Sequence, residues 1–417
     1  MSGQQRGVGL IGLFGSGNLG NEGSLEALLR LVQKERPAAP VSCVCGTPAN
    51  VERQQNIPAL PLARAGFNSG WAQALNSLLL KVPGRIVDFF ETLMKARLFS
   101  VLIVPGTGIL DDFGEDPLAM PYTILKWTIA ARLTGTKFAF VSIGAGPIRN
   151  SVSRAFMTTA ARLAHYRSYR DEISKDFMES CGLDVSRDPV TPDLAFRLPR
   201  PPRESPEPKL IGLGVMTYTG WSGGDRALYE TYIDKISRFA SWLIERGFNV
   251  QLLIGDDGDE RAITDIRRKV AASPEQLRYT PAGSLSELMA QMARAEAIVA
   301  TRFHNIVCAM AMAKPTISLG YARKNDVLLR DFGLGDFCQH MEALDVDRLC
   351  AQFEQLYANR ASYQAAILTR LDAYEEAHKA QDEILLGMID AAAPRVETNL
   401  PPEEPSRVRR RRFAAAR

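Results

Sequence analysis

Residues 297–321 read AIVATRFHNIVCAMAMAKPTISLGY, and this stretch decides the fold. The apolar and β-branched run 297–303 predicts a buried strand, residues 305–313 predict an apolar helix, and residues 315–321 predict a second strand. Strands that alternate with helices in this way form parallel sheets joined by crossover helices. The stretch therefore predicts an α/β fold.

The same alternation runs through most of the chain. Residues 25–35 predict a helix, because their leucines recur on one helical face. The other predicted strands are 7–15, 41–46, 98–106, 136–144, 166–171 and 188–196 in the first half, and 210–218, 248–256 and 277–283 in the second. Two α/β domains of this kind are expected to face each other across a ligand cleft at the carboxyl ends of their strands.

A proline-rich segment separates the two halves. Residues 198–209, LPRPPRESPEPK, hold five prolines among charged residues and can neither pack nor continue a helix. We therefore predict a first α/β domain, a linker, a second α/β domain, C-terminal helices and a disordered arginine-rich tail. Their ranges are 1–200, 201–209, 210–342, 343–392 and 393–417.

Composition and charge argue against several classes of protein. The formal net charge is +3, but residues 405–417 hold six arginines and no acid, so the rest of the chain is slightly acidic and is not expected to bind nucleic acid. The six cysteines are scattered without zinc-binding spacing, so no metal site is predicted. No signal peptide and no apolar stretch of about 20 residues is evident, so we expect a cytoplasmic protein.

Three glycine-containing motifs follow predicted strands of the first domain: GLFGSGNLGNEGS (12–24), PGTGILDDFGED (105–116) and SIGAGPI (142–148). Glycine lets the backbone approach a ligand closely, and the N–H groups of a following helix can bind an anion or a sugar. Gly15, Gly17 and Gly20 have the GxGxxG spacing, but no acidic residue ends the second predicted strand, VSCVCG (41–46), which disfavours a dinucleotide site. Turns without a ligand remain the alternative. The candidate residues are Gly15, Asn18, Gly20, Asn21, Glu22, Gly106, Gly108, Asp111 and Asp112.

Basic residues follow predicted strands in both domains. Arg302 and His304 alternate across a strand end, so we expect them to point to the same side, with Lys324 on the same rim. Arg170 ends a strand of the first domain. Because a guanidinium suits a carboxylate or phosphate and a histidine exchanges protons near neutral pH, these residues predict a site for a small polyanion. As an alternative, His304 alone would be a helix cap.

Two acidic residues near this cluster allow more than one interpretation. Asp171 is expected to cap the helix that follows it. Asp193, in TPDLAF (191–196), either ties a loop or belongs to the site.

The order of the motifs resembles that of the polysaccharide pyruvyl transferase family. The resemblance covers roughly residues 10–335 and rests on GxxGxxNxG, PGTGxLDD, SIGAGP, YRDEIS, TPDLAF, and TRFHN followed by PTISLGYARK. It implies a GT-B-like fold with two Rossmann-like domains. It also implies transfer of the enolpyruvyl moiety of phosphoenolpyruvate to sugar hydroxyls as a ketal.

The resemblance assigns roles to the candidates. By the resemblance, Arg302 and His304 would contact the donor, with the backbone of Phe303 between them. From the charge of phosphoenolpyruvate we expect Lys324 and Arg170 to add positive charge at the donor, and we hypothesise that His304 protonates its methylene carbon. The candidates of the first two glycine motifs would bind the acceptor, which is a sugar, a glycan or a lipid-linked saccharide. Asn21 stands where the family usually has an aspartate, which leaves the acceptor open. Phosphoenolpyruvate is the donor substrate, and no other cofactor is expected.

Other functions fit parts of the pattern. A GT-B glycosyltransferase would use a nucleotide sugar, with Asp256, Asp257 or Asp259 near the ribose, and a non-catalytic relative would only bind glycans. The arginine-rich tail, helped by the amphipathic residues 78–99, would hold the protein at the inner face of the membrane. For residues 78–99, a helix packed on the core or in a dimer is the alternative.

Overall fold

The structure is a computed structural model that describes residues 6–63, 82–112, 115–202, 205–220 and 224–392. Within them the strands form two parallel six-stranded sheets. The first sheet, in the order β3-β2-β1-β4-β5-β6, consists of β1 (Gly7–Gly12), β2 (Val41–Cys45), β3 (Ala59–Pro61), β4 (Phe99–Pro105), β5 (Lys137–Ile143) and β6 (Tyr166–Tyr169). The second, in the order β12-β11-β10-β7-β8-β9, consists of β7 (Leu210–Gly214), β8 (Asn249–Leu253), β9 (Leu277–Tyr279), β10 (Ala297–Ala300), β11 (Thr316–Gly320) and β12 (Cys338–His340).

Helices alternate with these strands. In the first half they are α1 (Leu19–Glu35), α2 (Pro48–Gln55), α3 (Val82–Ala96), α4 (Met120–Thr134), α5 (Ser151–Leu163) and α6 (Glu172–Ser180). In the second half they are α7 (Arg226–Glu245), α8 (Glu260–Lys269), α9 (Leu285–Ala293), α10 (Phe303–Ala311), α11 (Arg323–Asp331), α12 (Val346–Ala358) and α13 (Arg360–Ala392). The predicted α/β fold and its helical C-terminal segment are confirmed. The predicted disorder of residues 393–417 lies outside the described residues.

The core explains the strand sequences. Every residue of β1 and of β4 is buried, because helices cover both faces of each sheet and leave no polar face. Aromatic packing joins the two halves at the short 3₁₀ helix Leu194–Arg197. There the ring of Phe196 stacks on Phe332 with centroids 5.9 Å apart and meets Tyr374 edge-on at 4.9 Å. One apolar core therefore spans both sheets, and a second one lies within the first half, around Trp127 and Phe138.

The last helix, α13, returns to the first sheet. Its Gln381 accepts a hydrogen bond from the Ser168 hydroxyl and donates one to Ser142 Oγ at 3.1 Å. Asp382, one residue on, forms an ion pair with Arg197 at 2.6 Å. The C-terminus of the described chain is thus fixed to the N-terminal domain.

Several predicted boundaries were wrong. Residues 188–196 are not a strand: they form one bridge between Val190 and Tyr169 and then the 3₁₀ turn. Pro189 and Pro192 have no N–H group to donate, and Asp193 Oδ1 accepts from the Ala195 N–H at 3.0 Å to begin that turn. The other predicted strands end one to four residues earlier than expected. Helix α1 begins six residues before the predicted start, and the short edge strands β3 and β12 were missed.

The described helices include none with the length and apolar character that a bilayer crossing requires.

Candidate active site

The carboxyl ends of the strands in the two sheets face each other across a cleft. Loops after β4, β5 and β6 line it from the first domain, and loops after β7, β10 and β11 line it from the second, around a volume of about 1030 Å³. A second cavity of about 560 Å³ lies behind it. Arg170, Asp171 and Lys324 line both cavities. The strand-end residues of the two domains therefore converge here, as expected for an α/β fold.

Arg302 lines the larger cavity and is held by an internal carboxylate. It is the N-cap residue of α10. Its Nε and Nη2 donate to Asp259 Oδ2 and Oδ1, both at 2.8 Å, and the Thr217 N–H donates to the same Oδ1 at 2.8 Å. Asp259 is fully buried, whereas 23% of the Arg302 side chain is exposed. The pair fixes the guanidinium at the cleft and leaves its other N–H groups for a ligand.

His304 points elsewhere. Its Nε2 lies 3.6 Å from Asp193 Oδ2, and these two buried atoms have no hydrogen-bond partner among the described residues. The other side of the ring packs on α1, where a Cβ built on Gly20 would lie 2.0 Å from Nδ1. The expectation that Arg302 and His304 share one rim is therefore wrong. Strand β10 ends at Ala300 and α10 begins at Phe303, so alternation does not apply.

Asp193 joins His304 to Arg170. The Arg170 guanidinium lies 3.5 Å from Asp193 Oδ2 and 3.4 Å from Asp171 Oδ2, and its carbon is 4.6 Å from the centre of the Phe303 ring. Burial would raise the pKa of Asp193, but its attraction to His304 and Arg170, with the Ala195 N–H, holds that pKa below the usual range. Asp193 is thus a buried carboxylate between two basic groups.

Lys324 supplies a positive charge at the boundary of the two cavities. Its Nζ lies 5.4 Å from the ring centres of both Phe303 and Tyr321. Within the described ranges it forms neither a hydrogen bond nor an ion pair. A cation held only by ring faces keeps its three N–H donors free for an anionic ligand.

The first glycine motif makes contacts between the domains. Asn18 caps α1 by accepting from the Gly20 and Asn21 N–H groups, and its Nδ2 lies 3.5 Å from Asp256 Oδ2 of the second domain. The Gly15 N–H donates to Glu22 Oε1 at 2.6 Å, and burial raises the pKa of that carboxyl. Asn21 Nδ2 donates to the Leu13 carbonyl at 3.3 Å. Among the described residues that line the two cavities, none belongs to the five candidates of this motif.

Only part of the second glycine motif lines the larger cavity. Asp111 and Asp112 line the larger cavity. Asp112 accepts from the Arg149 and Asn150 N–H groups at 2.8–3.0 Å and so ties two loops together. Gly106, with φ +50°, lies against Ser24, whose hydroxyl donates to the Gly106 carbonyl, and Gly108 lies near Asp111. Neither glycine is among the described residues that line the cavity.

Three other acidic residues and one tyrosine also bear on the site. Asp171 caps α6 by accepting from the Ser174 N–H at 2.8 Å, as predicted. Asp256 contacts Asn18, and Asp259 is the partner of Arg302, a role that no sequence signal revealed. The cavity also has Tyr218 in its wall, a residue that the sequence assigned to a strand. Its hydroxyl donates to Glu342 at 2.6 Å.

Comparisons with solved structures show the fold. UDP-GlcNAc 2-epimerase from Neisseria meningitidis, solved bound to UDP-GlcNAc, superposes with a TM-score of 0.59 at 11% identity, covering 93% of this chain and 100% of the epimerase. The UDP-GlcNAc 2-epimerase from Methanocaldococcus jannaschii gives 0.55 at 13% identity over 84% and 92%. MurG from Acinetobacter baumannii gives 0.52 at 12% identity over 92% and 100%. Such low identities show the GT-B-like arrangement of two Rossmann-like domains alone.

Sequence comparison identifies the family. A search of curated proteins returned no match. The family model described as polysaccharide pyruvyl transferase matches residues 18–323, more than half of the chain, from the cap of α1 to the start of α11. The chain therefore belongs to the polysaccharide pyruvyl transferase family, a family of transferases.

Proposed function

We propose that this protein transfers the pyruvyl group of phosphoenolpyruvate to hydroxyls of a sugar in a polysaccharide or glycan precursor, forming a pyruvate ketal. The observation that carries the proposal is the convergence of Arg170, Arg302 and Lys324, three of the five cationic side chains on the described wall of one interdomain cleft. Phosphoenolpyruvate carries a carboxylate and a phosphate on three carbons, so its site needs several cationic donors in a small volume.

The donor is proposed to bind where the two cavities meet. Arg170 and Lys324 line both cavities, and Phe303 lies against both of these cations. Arg302 is fixed by Asp259 and approaches from the larger cavity. A guanidinium fixed in advance loses little side-chain entropy when an anion binds, which favours tight binding. The acceptor sugar is proposed to occupy the rest of the larger cavity, near Asp111.

His304 is proposed to be the acid. In the first step a sugar hydroxyl oxygen adds to C2 of phosphoenolpyruvate, and the methylene carbon C3 takes a proton from His304. The hydroxyl proton replaces the one that His304 gave. In the second step the bond from C2 to the phosphate oxygen breaks, and a second hydroxyl of the same sugar adds to C2 and gives its proton to the leaving phosphate. General acid catalysis of this kind is typically worth about 10²- to 10⁴-fold.

Asp193 is proposed to position the acid. Its carboxylate lies 3.6 Å from Nε2 of His304 and also lines the smaller cavity, next to Arg170. It is an anionic partner for the ring when the ring carries a proton. Contacts between a catalytic group and a substrate often tighten only when the substrate binds, so a ring with 20% of its side chain exposed remains a candidate.

The testing experiment is calorimetric titration of the protein with phosphoenolpyruvate. Saturable binding is expected, with at least about tenfold weaker binding for Lys324→Ala, because a charge-assisted contact is lost. Lys34→Ala, on the exposed surface of α1, is the matched control and should bind as the wild type does. His304→Ala should keep its affinity but lose phosphate release when sugars and UDP-sugars are added as acceptors. Absence of phosphoenolpyruvate binding would contradict the proposal.

The same titration separates the alternatives. Solved relatives of this fold were crystallised with UDP or UDP-GlcNAc, so these compounds belong in the titration both as ligands and as acceptors. Binding of a nucleotide sugar without phosphoenolpyruvate would favour a glycosyltransferase. Against this alternative, Asp256 and Asp259 already have protein partners. A lipid-linked acceptor and contact of the arginine-rich tail with a membrane remain predictions.

A further inference from the structure

Helix α3 exposes a purely apolar face. Val82, Ile86, Phe90 and Met94 are the exposed residues of this helix, with 51–61% of each exposed. They are spaced four residues apart and so form one row along the helix, and Leu98, 50% exposed, follows just past its end. These five residues are called the apolar stripe. Contiguous apolar surface of this kind is uncommon on soluble monomers and marks an interaction site.

The orientation of the helix is fixed by its other face. Thr92 and Ala96 are buried there, and Asp88 Oδ2 pairs with Lys126 Nζ at 2.6 Å. Lys126 is itself 1% exposed, and the pair forms part of the contact between α3 and α4. The stripe cannot turn inward without breaking this buried ion pair, which is costly. Its exposure is therefore a property of the packed helix.

The surroundings of the stripe are positively charged. Arg85 lies in the first turn of the helix, between Val82 and Ile86 in sequence. Near the other end of the helix, Lys95 and the exposed Arg97 flank Met94. The helix carries two acids, Asp88 and Glu91: Asp88 pairs with the buried Lys126, and Glu91 also attracts that lysine. A helix with apolar side chains outward and lysine and arginine at its margins matches an interfacial helix on anionic lipid.

We propose that the apolar stripe docks this protein on an anionic lipid surface. Its side chains would lie at the boundary between the lipid headgroups and the acyl chains. A second copy of the chain fits less well. A two-fold contact through the stripe would bring Arg85, Lys95 and Arg97 of both copies together, and five side chains are few beside the about 20 to 30 residues a side of a standard interface. The proposal goes beyond the pyruvyl transfer proposed above, and lipid binding is measured without it.

The topology relates the stripe to the cleft. Helix α3 ends at Ala96 and β4 begins at Phe99, so Val82 lies toward the edge where strands end and the cleft opens. Leu118, 45% exposed, lies in the loop after β4 at the same edge. A protein docked by the stripe would hold one margin of the cleft close to the lipid. This position suits an acceptor that is itself anchored in lipid.

The test is vesicle flotation of the full chain. The protein should float with vesicles of phosphatidylglycerol and phosphatidylcholine and much less with phosphatidylcholine alone, because the charge and the stripe act together. The double variant Ile86→Ser/Phe90→Ser should bind the anionic vesicles at least about tenfold more weakly, since two large apolar side chains are removed. Ile384→Ser is the matched control, because Ile384 is 45% exposed but lies on α13. Circular dichroism checks that each variant is folded.

The same experiments distinguish lipid binding by the stripe from membrane contact through the tail and from dimer formation. Unchanged flotation of the double variant would overturn the proposal. So would flotation that is lost when Arg409, Arg410, Arg411 and Arg412 are changed to Ser in the full chain, because the tail would then be the membrane contact. A dimer seen by light scattering and abolished by Ile86→Ser/Phe90→Ser would assign the stripe to a second copy. A wild type that floats with neither kind of vesicle would also overturn the proposal.

Discussion

Gly20 and His304 meet across the domain interface, so closely that a Cβ on Gly20 would lie 2.0 Å from Nδ1 of the imidazole. The first turn of α1 and the first turn of α10 belong to different domains, and the absence of a side chain at Gly20 is what lets them approach. The proposed acid is thereby enclosed between Gly20 and Asp193. The position of the ring depends on both domains being in place.

A methyl group at residue 20 should displace the ring. Gly20→Ala is expected to lower the free energy of unfolding by about 1–3 kcal/mol, the usual range for overpacking. In a His304→Ala background the same change should cost much less, because the clash is removed. Urea unfolding of the four proteins measures this coupling. Gly46→Ala is the matched control, since nothing lies within 4 Å of a Cβ built there. Equal costs in both backgrounds would contradict the contact.

The ion pair between Arg302 and Asp259 should contribute to stability as well as to donor binding. Arg302→Ala leaves a fully buried carboxylate without its partner and is expected to destabilise the protein by about 3–5 kcal/mol. Arg302→Ala/Asp259→Asn should recover part of this loss, because no buried charge remains. Thermal unfolding with phosphoenolpyruvate added separates the two roles: the double variant should be more stable than Arg302→Ala yet still gain little from the donor.

Replacing Asp193 by asparagine should affect turnover more than donor affinity. Asp193→Asn keeps the shape but removes the charge between His304 and Arg170, so turnover should fall by up to the about 10²- to 10⁴-fold that general acid catalysis contributes. The pH dependence of phosphate release should change too, since the anionic partner of the ring is lost. The readout is phosphate released from phosphoenolpyruvate across pH 5–9, beside calorimetric affinity. A loss confined to affinity would show that Asp193 only supports the binding site.

The stability of the protein should fall in mild acid because of His378. Burial, together with the nearby Arg197, lowers the pKa of this residue to about 3 from its ordinary 6.5. Below pH 6.5 the unfolded chain binds a proton that the folded chain does not bind until about pH 3. The free energy of unfolding therefore falls by up to about 1.4 kcal/mol for each pH unit in this window.

His378→Leu should remove that part of the acid sensitivity. Melting temperatures at pH 5.0 and 7.5 should differ less in this variant than in the wild type. His340→Asn, at an exposed position in β12, is the control and should behave as the wild type does. An unchanged difference in His378→Leu would assign the acid sensitivity to other groups.

The sequence predicted those strands and helices whose formation depends on the local pattern of apolar residues. Strands such as β4, buried from end to end, and helices such as α1 follow from runs of apolar residues and their period. The predicted strands overran at the cleft because residues such as Tyr218 are apolar yet lie in loops that line it. Strand 188–196 failed because Pro189 and Pro192 limit backbone pairing to one bridge.

Partnerships between distant residues could not be predicted. Asp259 and Arg302 are 43 residues apart and follow different strands, so only the fold brings them together. The direction of His304 depends on where α10 begins, and helix boundaries are poorly encoded by pattern alone. The cationic character of the site was predictable, since Arg170, Arg302 and Lys324 each follow a strand end. The separation of His304 from the cleft was not.

Helix α13 also bears on how the protein is made. Ser142 and Ser168 lie under Gln381, a residue that leaves the ribosome more than 200 positions later. The first domain therefore emerges early but is left with an uncovered surface until synthesis is nearly complete. Premature termination anywhere before α13 yields a nascent chain with exposed apolar and hydroxyl groups, the kind of surface that chaperones retain. The first domain is thus completed only when α13 has been synthesised.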